Sequence, residues 1–414
     1  VKKNRAAFSW AGAIGASIWL LFGALAISGV ALGTRYSSAI ESSHESVVAI
    51  KAHSVFSVLH DFHYFGSGLA IILGTINVAL LLWCGRFVRE DRWLWWGAVG
   101  TLSLAMFFQM TGNLLPMSQH DARTAFAEAG IGAQAPLIGS AIREYVLAGD
   151  SVSQATLDRW YFAHRIVGPI LLLLIALPCI RALKKEIGSR GWLLSTVPIL
   201  VGIALAFSFD TSLGISAQES DLSTGATQPM WYVLPMHAML SYVNGINPSL
   251  GWVGSMLIPK LALLAMLSLP FLFTKSPARF WMGKALVIAG AGLLTLSLIG
   301  YGDKVQSPFA VEPSFEVPSP STDGESQAVD DALAAVGRRM FEQNQCLSCH
   351  AVGGEIGGTA GPNLAGVANK RPEVGWFIQL LRDPESLGIT TMPSYSKLSE
   401  SEIRALAEYL RSLR

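Results

Sequence analysis

Apolar and polar positions alternate along this chain on a coarse scale. Apolar runs fall near residues 8–33, 56–84, 93–115, 160–182, 191–209, 253–274 and 279–300. Each is long enough, at about 1.5 Å of rise per residue, to cross roughly 30 Å of hydrocarbon. The pattern predicts seven membrane-spanning helices. The first run is too long for the apolar core of a secretory leader and has no small-residue cleavage site before a polar start, so it reads as a spanning helix. Residues 302–330 are rich in proline, serine and acid, keep no apolar period, and read as a flexible linker. Beyond them the pattern changes character. It ends in LSESEIRALAEYLRSL, an amphipathic helix opened by a serine with a glutamate three residues later.

Composition fits a membrane protein, with 51% hydrophobic and 14% charged residues. A formal charge of +1 gives no field that would draw nucleic acid. The positions of the charges say more. Lysine and arginine gather in VKKNR, GRFVREDR, RALKKEIGSR and TKSPAR, whereas residues 210–252 contain none. The positive-inside rule then predicts a cytoplasmic N-terminus, and seven crossings predict that the C-terminal domain lies on the outer face. The domains expected are a transmembrane unit over 1–209, a second over 210–301, the linker 302–330, and a small soluble domain over 331–414.

Two of the four cysteines lie in CLSCH. The spacing C-x-x-C-H is that of covalent haem attachment, with Cys346 and Cys349 as thioether donors and His350 as the proximal iron ligand. Further on come GPNLAGV, TTMPSY and the amphipathic helix. In this order the segment resembles a class I cytochrome c domain along its whole length, which implies that Met392 is the distal ligand. Such a domain carries one haem c, and haem c attachment is expected on the outer face of a bacterial membrane, where the charge pattern also puts it.

The transmembrane part carries a second constellation. LHDFHYFGSGLAIILGTIN holds His63 and, fourteen residues on, Asn77; LDRWYFAHRIVGPILLLLIALPCIR holds His164 and, fifteen residues on, Cys179. From about residue 10 to 274 the chain resembles cytochrome b of the cytochrome bc complexes, in the chloroplast-type form of four-helix and three-helix subunits, here fused. In that family two helices each carry two histidines at this spacing, nearly four helical turns or about 21 Å apart, and hold two stacked haems. The resemblance implies an all-α fold, a seven-helix cytochrome b-like bundle followed by a small cytochrome c domain. It implies one haem b between His63 and His164 on the outer side, and it argues against a second haem on the inner side, where Asn77 and Cys179 replace both ligands. A thioether-bound haem at Cys179 is a lesser alternative, weakened by the lack of a cysteine on the first helix. His60, one turn outside His63, could meet a haem propionate or simply face water.

MTGNLLPMSQ resembles the end of the family's third helix and its quinol-side loop. QPMWYVLP stands where the family has PEWY, whose glutamate takes a proton from quinol. Here Met230 replaces that glutamate, and a thioether accepts no proton. His237 could act as a base or be a polar loop residue. The function expected is a membrane-bound electron-transfer subunit with a b and a c haem, resembling quinol:cytochrome c oxidoreductases. It would pass electrons from the quinol side, or from a partner such as a Rieske iron–sulfur protein, to haem c and on to a soluble or membrane-bound acceptor. Further cytochrome subunits, the quinone pool and membrane lipid are the other partners expected. The alternative is a degenerate cytochrome b serving as anchor and docking platform for the cytochrome c domain in a larger complex. Either way the location implied is the bacterial cytoplasmic membrane.

Overall fold

The computed structural model describes residues 10–184, 187, 189–217, 222, 229–247, 250–273, 277–301, 326–344, 346, 350, 352, 364–387, 389, 392, 394–396 and 398–413. Most of the expected linker, Cys349 and residues 361–363 lie outside them. The described elements are helical: α1 (Trp10–Gly33), α2 (Ser43–Ala52), α3 (Ser54–Trp83), α4 (Arg92–Asn113), α5 (Gln119–Ala133), α6 (Gly139–Leu147), α7 (Gln154–Phe162) and α8 (Gly168–Lys184). Then follow α9 (Ser189–Leu194), α10 (Val197–Ser208), α11 (Leu234–Ile246), α12 (Ile258–Leu272) and α13 (Ala278–Tyr301). The C-terminal part adds α14 (Ser326–Gln343), α15 (Val367–Lys370), α16 (Val374–Arg382) and α17 (Glu400–Ser412).

Among the described residues six helices are long and apolar enough to cross a membrane: Trp10–Gly33, Ser54–Trp83, Gln154–Lys184, Gly191–Ser208, Val253–Leu272 and Ala278–Ile299. The chain is a multi-pass membrane protein. The seventh expected span, α4, is absent from this set. It opens on Arg92 and carries Gln109 and Asn113, and packing reveals its place instead. It lies between α3 and α8. Gly97 near its start meets Cys179 late in α8, and Gly112 near its end meets His164 ahead of α8. These two glycines are about 22 Å apart along the axis, so α4 runs antiparallel to α8 through the full depth of the bundle. A helix enclosed on several sides can tolerate polar positions that one facing lipid cannot.

Helices α1, α3, α4 and α8 form the four-helix core; α10 lies against α1 and α3, α12 against α4, and α13 against α3 and α11. Two apolar clusters fill the core, one around Ile18, Leu21, Phe62 and Ala105, the other around Leu81, Phe87, Trp95 and Leu183. Prolines shape the helices locally. Pro169 and Pro259 lack an N–H, and just before each the chain takes a π turn, Ala163–Val167 and Val253–Leu257. There the Gly168 and Ile258 N–H groups reach back five residues, to the Ala163 and Val253 carbonyls. Pro270 in α12 leaves the Met266 carbonyl without its usual helical donor. The Trp95 indole N–H donates to that oxygen at 2.7 Å and so fastens α4 to α12.

The cytochrome c-like part has its own core. Helix α14 packs on α17 so closely that a Cβ on Gly337 would stand 1.9 Å from the Ala405 carbonyl oxygen. Phe341 and Tyr409 meet there with ring centres 5.2 Å apart. The cap read from the sequence is present: Ser399 and Glu402 form a reciprocal capping box at the start of α17.

Candidate functional site

At one level of the four-helix core, α3 presents His63 and the π turn before α8 presents His164. Their ring centres are 6.2 Å apart. Each Nδ1 is engaged by a hydroxyl: Ser28 Oγ lies 2.9 Å from His63 Nδ1, and Thr111 Oγ1 lies 2.9 Å from His164 Nδ1. Each hydroxyl is also tied to its own helix, within 3.0 Å of the Leu25 carbonyl for Ser28 and 2.8 Å of the Phe107 carbonyl for Thr111. The contacts orient the rings and leave Nε2 of each without a hydrogen bond among the described residues. An iron bonded to both Nε2 atoms at about 2 Å would hold the ring centres roughly 6 Å apart, which is the separation found. The next residue on each supporting helix is a glycine. A Cβ on Gly29 would come within 3.0 Å of His63 Cε1, and one on Gly112 within 2.9 Å of His164 Cε1. A side chain at either glycine would crowd the imidazole over it, and the pair fits a bis-histidine haem.

The inner level repeats the scaffold without the chemistry. Gly15 and Gly97 stand fourteen and fifteen residues before Gly29 and Gly112. Over Gly97 lies Cys179, whose Sγ would be 2.6 Å from an added Cβ. Over Gly15 lies Leu183, at 2.8 Å, with Asn77 Nδ2 at 3.5 Å. The cavity left among them is about 10 Å³, room for little more than one water. Asn77 Oδ1 is buried there without a hydrogen bond. Neither side chain is an imidazole, and the residues present do not fit a second bis-histidine haem.

His60 Nδ1 lies 3.3 Å from Asp61 Oδ1 and 3.4 Å from Thr211 Oγ1. Asp61 is itself buried and receives Lys51 Nζ at 2.7 Å; Lys51 also pairs with Asp210. These groups join α2, the N-terminal part of α3 and the segment after α10. In the C-terminal domain the buried Cys346 and the partly buried Met392 pack against one apolar core. The His350 N–H donates to the Cys346 carbonyl at 2.9 Å. The donors described there fit a covalently held haem with a thioether ligand. Cys84 caps α3 and is exposed, while Cys179 is buried.

A cavity of about 270 Å³ opens beside the His164 level, between α4, α5 and the segment leading into α11. Met110, Asn113, Glu128, Trp160, Met230 and Tyr232 are among its walls. Its polar side comes from α5, where Asp121, Thr124, Ala125 and Glu128 share one helical face. Asn113 Nδ2 donates to the Tyr232 hydroxyl at 3.1 Å, and Gln109 and Ser67 extend that line into the bundle. His120 Nε2 lies 3.3 Å from Met230 Sδ. Burial holds the His120 imidazole down to about 4 and pushes the Asp121 carboxyl up to about 7, the latter against the stabilising hydrogen bonds from Ser118. His237 Nε2 is 3.2 Å from Glu128 Oε1.

This architecture defines a multi-pass helical membrane bundle with a small helical domain at its C-terminal end, and comparison with known proteins gives both parts their families. Residues 4–187 match the family model described as cytochrome b/b6/petB, and residues 334–414 match that for cytochrome c. The chain is a cytochrome b/b6 region with a cytochrome c domain at its C-terminus. Haem b and haem c are the groups these families imply. Cytochrome b6 of Synechococcus sp. (strain CC9605) is 25% identical over 38% of this chain and 73% of its own length. Cytochrome c oxidase subunit 2 of Alkalihalophilus pseudofirmus is 39% identical over 20% of this chain; the match spans 27% of that subunit. A chain of the hyperthermophilic respiratory complex III superposes with a TM-score of 0.54 at 17% identity, covering 73% of this chain and 94% of that one. That likeness concerns the fold.

Several site residues escape a reading of motifs. Ser28 and Thr111 are ordinary helix positions by sequence, although the glycine pairs Gly15/Gly29 and Gly97/Gly112 repeat the fourteen- and fifteen-residue spacing of the ligand positions and could have drawn attention to them. His120 and Glu128 gave no sequence signal, because only the fold brings α5 against Met230 and His237.

Proposed function

We propose that this protein is a membrane-bound electron-transfer subunit with one haem b and one haem c. His63 and His164 hold the haem b; Cys346, Cys349 and His350 hold the haem c, with Met392 as its distal ligand. A haem ligated on both axial sides supplies one-electron transfer without an open position for substrate chemistry. Ser28 and Thr111 keep both imidazoles in one tautomer and orientation. His60, held by Asp61 and Thr211, would be available to a haem propionate. The inner level has no haem, so the chain carries electrons along the outer side of the membrane and not across it. The cavity beside His164 takes the quinol head group, or its electrons come from an iron–sulfur partner. The domains run as 1–209, 210–301, a linker from 302 that ends where α14 begins at Ser326 rather than at 330, and the cytochrome c domain from there to 414, with the N-terminus cytoplasmic and the cytochrome c domain on the outer face of a bacterial membrane. Similarity to cytochrome b6 and to complex III supports a place in a multi-subunit respiratory or photosynthetic complex.

The observation that carries this reading is the matched His63–His164 pair, with its two hydroxyl contacts and two close glycines. A chain kept only as an anchor has no reason to retain six residues from four helices in ligand geometry. Pyridine haemochrome spectra of the purified protein test it. One b to one c is expected, and His164→Ala should abolish the b signal while leaving the c signal. A c signal alone in the unaltered protein would favour the anchor reading, and two b haems would refute the single-haem assignment.

A further inference from the structure

The family's proton-accepting glutamate is replaced by Met230, yet the cavity wall opposite still holds a carboxylate. We propose that Glu128 and His237 form a replacement proton exit from this cavity, with Glu128 taking the proton and His237 passing it to the outer aqueous face. This rests on the reading that a quinol binds in the cavity, and it names where that quinol's proton goes.

Placement carries the argument. Glu128 lines the cavity, and its carboxylate is within hydrogen-bond distance of the His237 ring. The Glu128 side chain is 31% exposed and that of His237 21%, so neither group is sealed inside the protein. A general base must lie within hydrogen-bond reach of the proton it takes and be able to release it. The other polar groups here are less suited. Asp121 lies on the same face of α5, but both its backbone and hydroxyl partners belong to the Ser118 capping box. The Tyr232 hydroxyl already receives Asn113. His120 faces Met230 and the Thr124 hydroxyl. Burial and the nearby Glu128 charge raise the Tyr232 phenol, so that it keeps its own proton.

The balance is simple. A quinol becomes a quinone by giving up two protons and two electrons. The electrons go to one-electron acceptors of the haem or iron–sulfur class. One proton goes from one ring hydroxyl to a Glu128 carboxylate oxygen, then through His237 to water, which leaves Glu128 ionised for the next turn; the proton of the second ring hydroxyl leaves directly to water at the cavity mouth.

The test is steady-state oxidation of a water-soluble quinol by the full complex in membranes. Glu128→Gln should lower kcat at least tenfold and change KM less than twofold, with the haem spectra unaltered. His237→Phe should lower kcat and shift the pH profile, and the double variant should be no worse than the poorer single one. Met230→Glu in the Glu128→Gln background should recover much of the lost rate, because it returns a carboxylate to the same cavity. Unaltered turnover and pH profile in Glu128→Gln would overturn the exit while leaving the quinol site standing. An unaltered complex that oxidises no quinol would overturn both.

Discussion

His63 and His164 face one another across the four-helix core with ring centres 6.2 Å apart, each held at Nδ1 by a hydroxyl 2.9 Å away. The supports come from different helices, Ser28 on α1 and Thr111 on α4, and each precedes a glycine that the ring overlies. The arrangement is nearly two-fold symmetric. Ring orientation and space are set by the protein's own packing.

Removing those supports should loosen the haem without unfolding the bundle. Ser28→Ala with Thr111→Ala deletes both ring contacts and adds no bulk. Such changes cost metal sites about 10- to 100-fold in affinity, so the double variant should lose haem b on dilution, followed at its absorption band, while haem c stays. Gly112→Leu should act more severely, because its side chain enters the space of the His164 ring.

The inner level should resist simple restoration. Asn77→His with Cys179→His returns two imidazoles, but Leu183 still covers Gly15. One haem b is expected in that double variant, and a gain toward two only when Leu183→Ala is added. Two b haems in the double variant itself would show that ligand identity alone empties this level.

Burial of Asp121 has a sign that can be checked. Its carboxyl is raised from 3.8 to about 7 in the folded protein, chiefly by desolvation. The folded state therefore binds more protons than the unfolded state between these values, and stability falls as pH rises through that window. His120, lowered by burial to about 4, works in the opposite direction up to about its ordinary 6.5. Above about pH 6.5 the His120 effect fades, while that of Asp121 persists to about 7. Asp121→Asn should flatten the decline of thermal midpoint between pH 6.5 and 7.5, measured by circular dichroism in detergent.

The cytochrome c domain depends on one close crossing. Gly337→Ala places a methyl group against the Ala405 carbonyl, and overpacking of this kind costs about 1–3 kcal/mol or more. A lowered yield of haem c with haem b unchanged is the expected result, read from the two haemochrome bands.

The sequence by itself determined the class of fold and the multi-pass membrane character, and it named the histidines, cysteines and methionine proposed as ligands. Apolar runs report helices because lipid leaves backbone groups no partner but each other. CLSCH and the fourteen- and fifteen-residue spacings report haem chemistry because covalent attachment and helical repeat are both local. The cap at Ser399 and Glu402 was legible for the same reason. Tertiary structure decided what depends on distant segments meeting. It put the less apolar α4 at full depth in the core, set Ser28 and Thr111 behind the imidazoles, and closed the inner level with Leu183 and Cys179. It also brought Glu128 of α5 to His237 and the cavity beside Met230. A motif can show that a carboxylate is missing from its usual place. Only the fold shows that another lines the same cavity, because Glu128 and His237 are 109 residues apart in the chain and 3.2 Å apart in space.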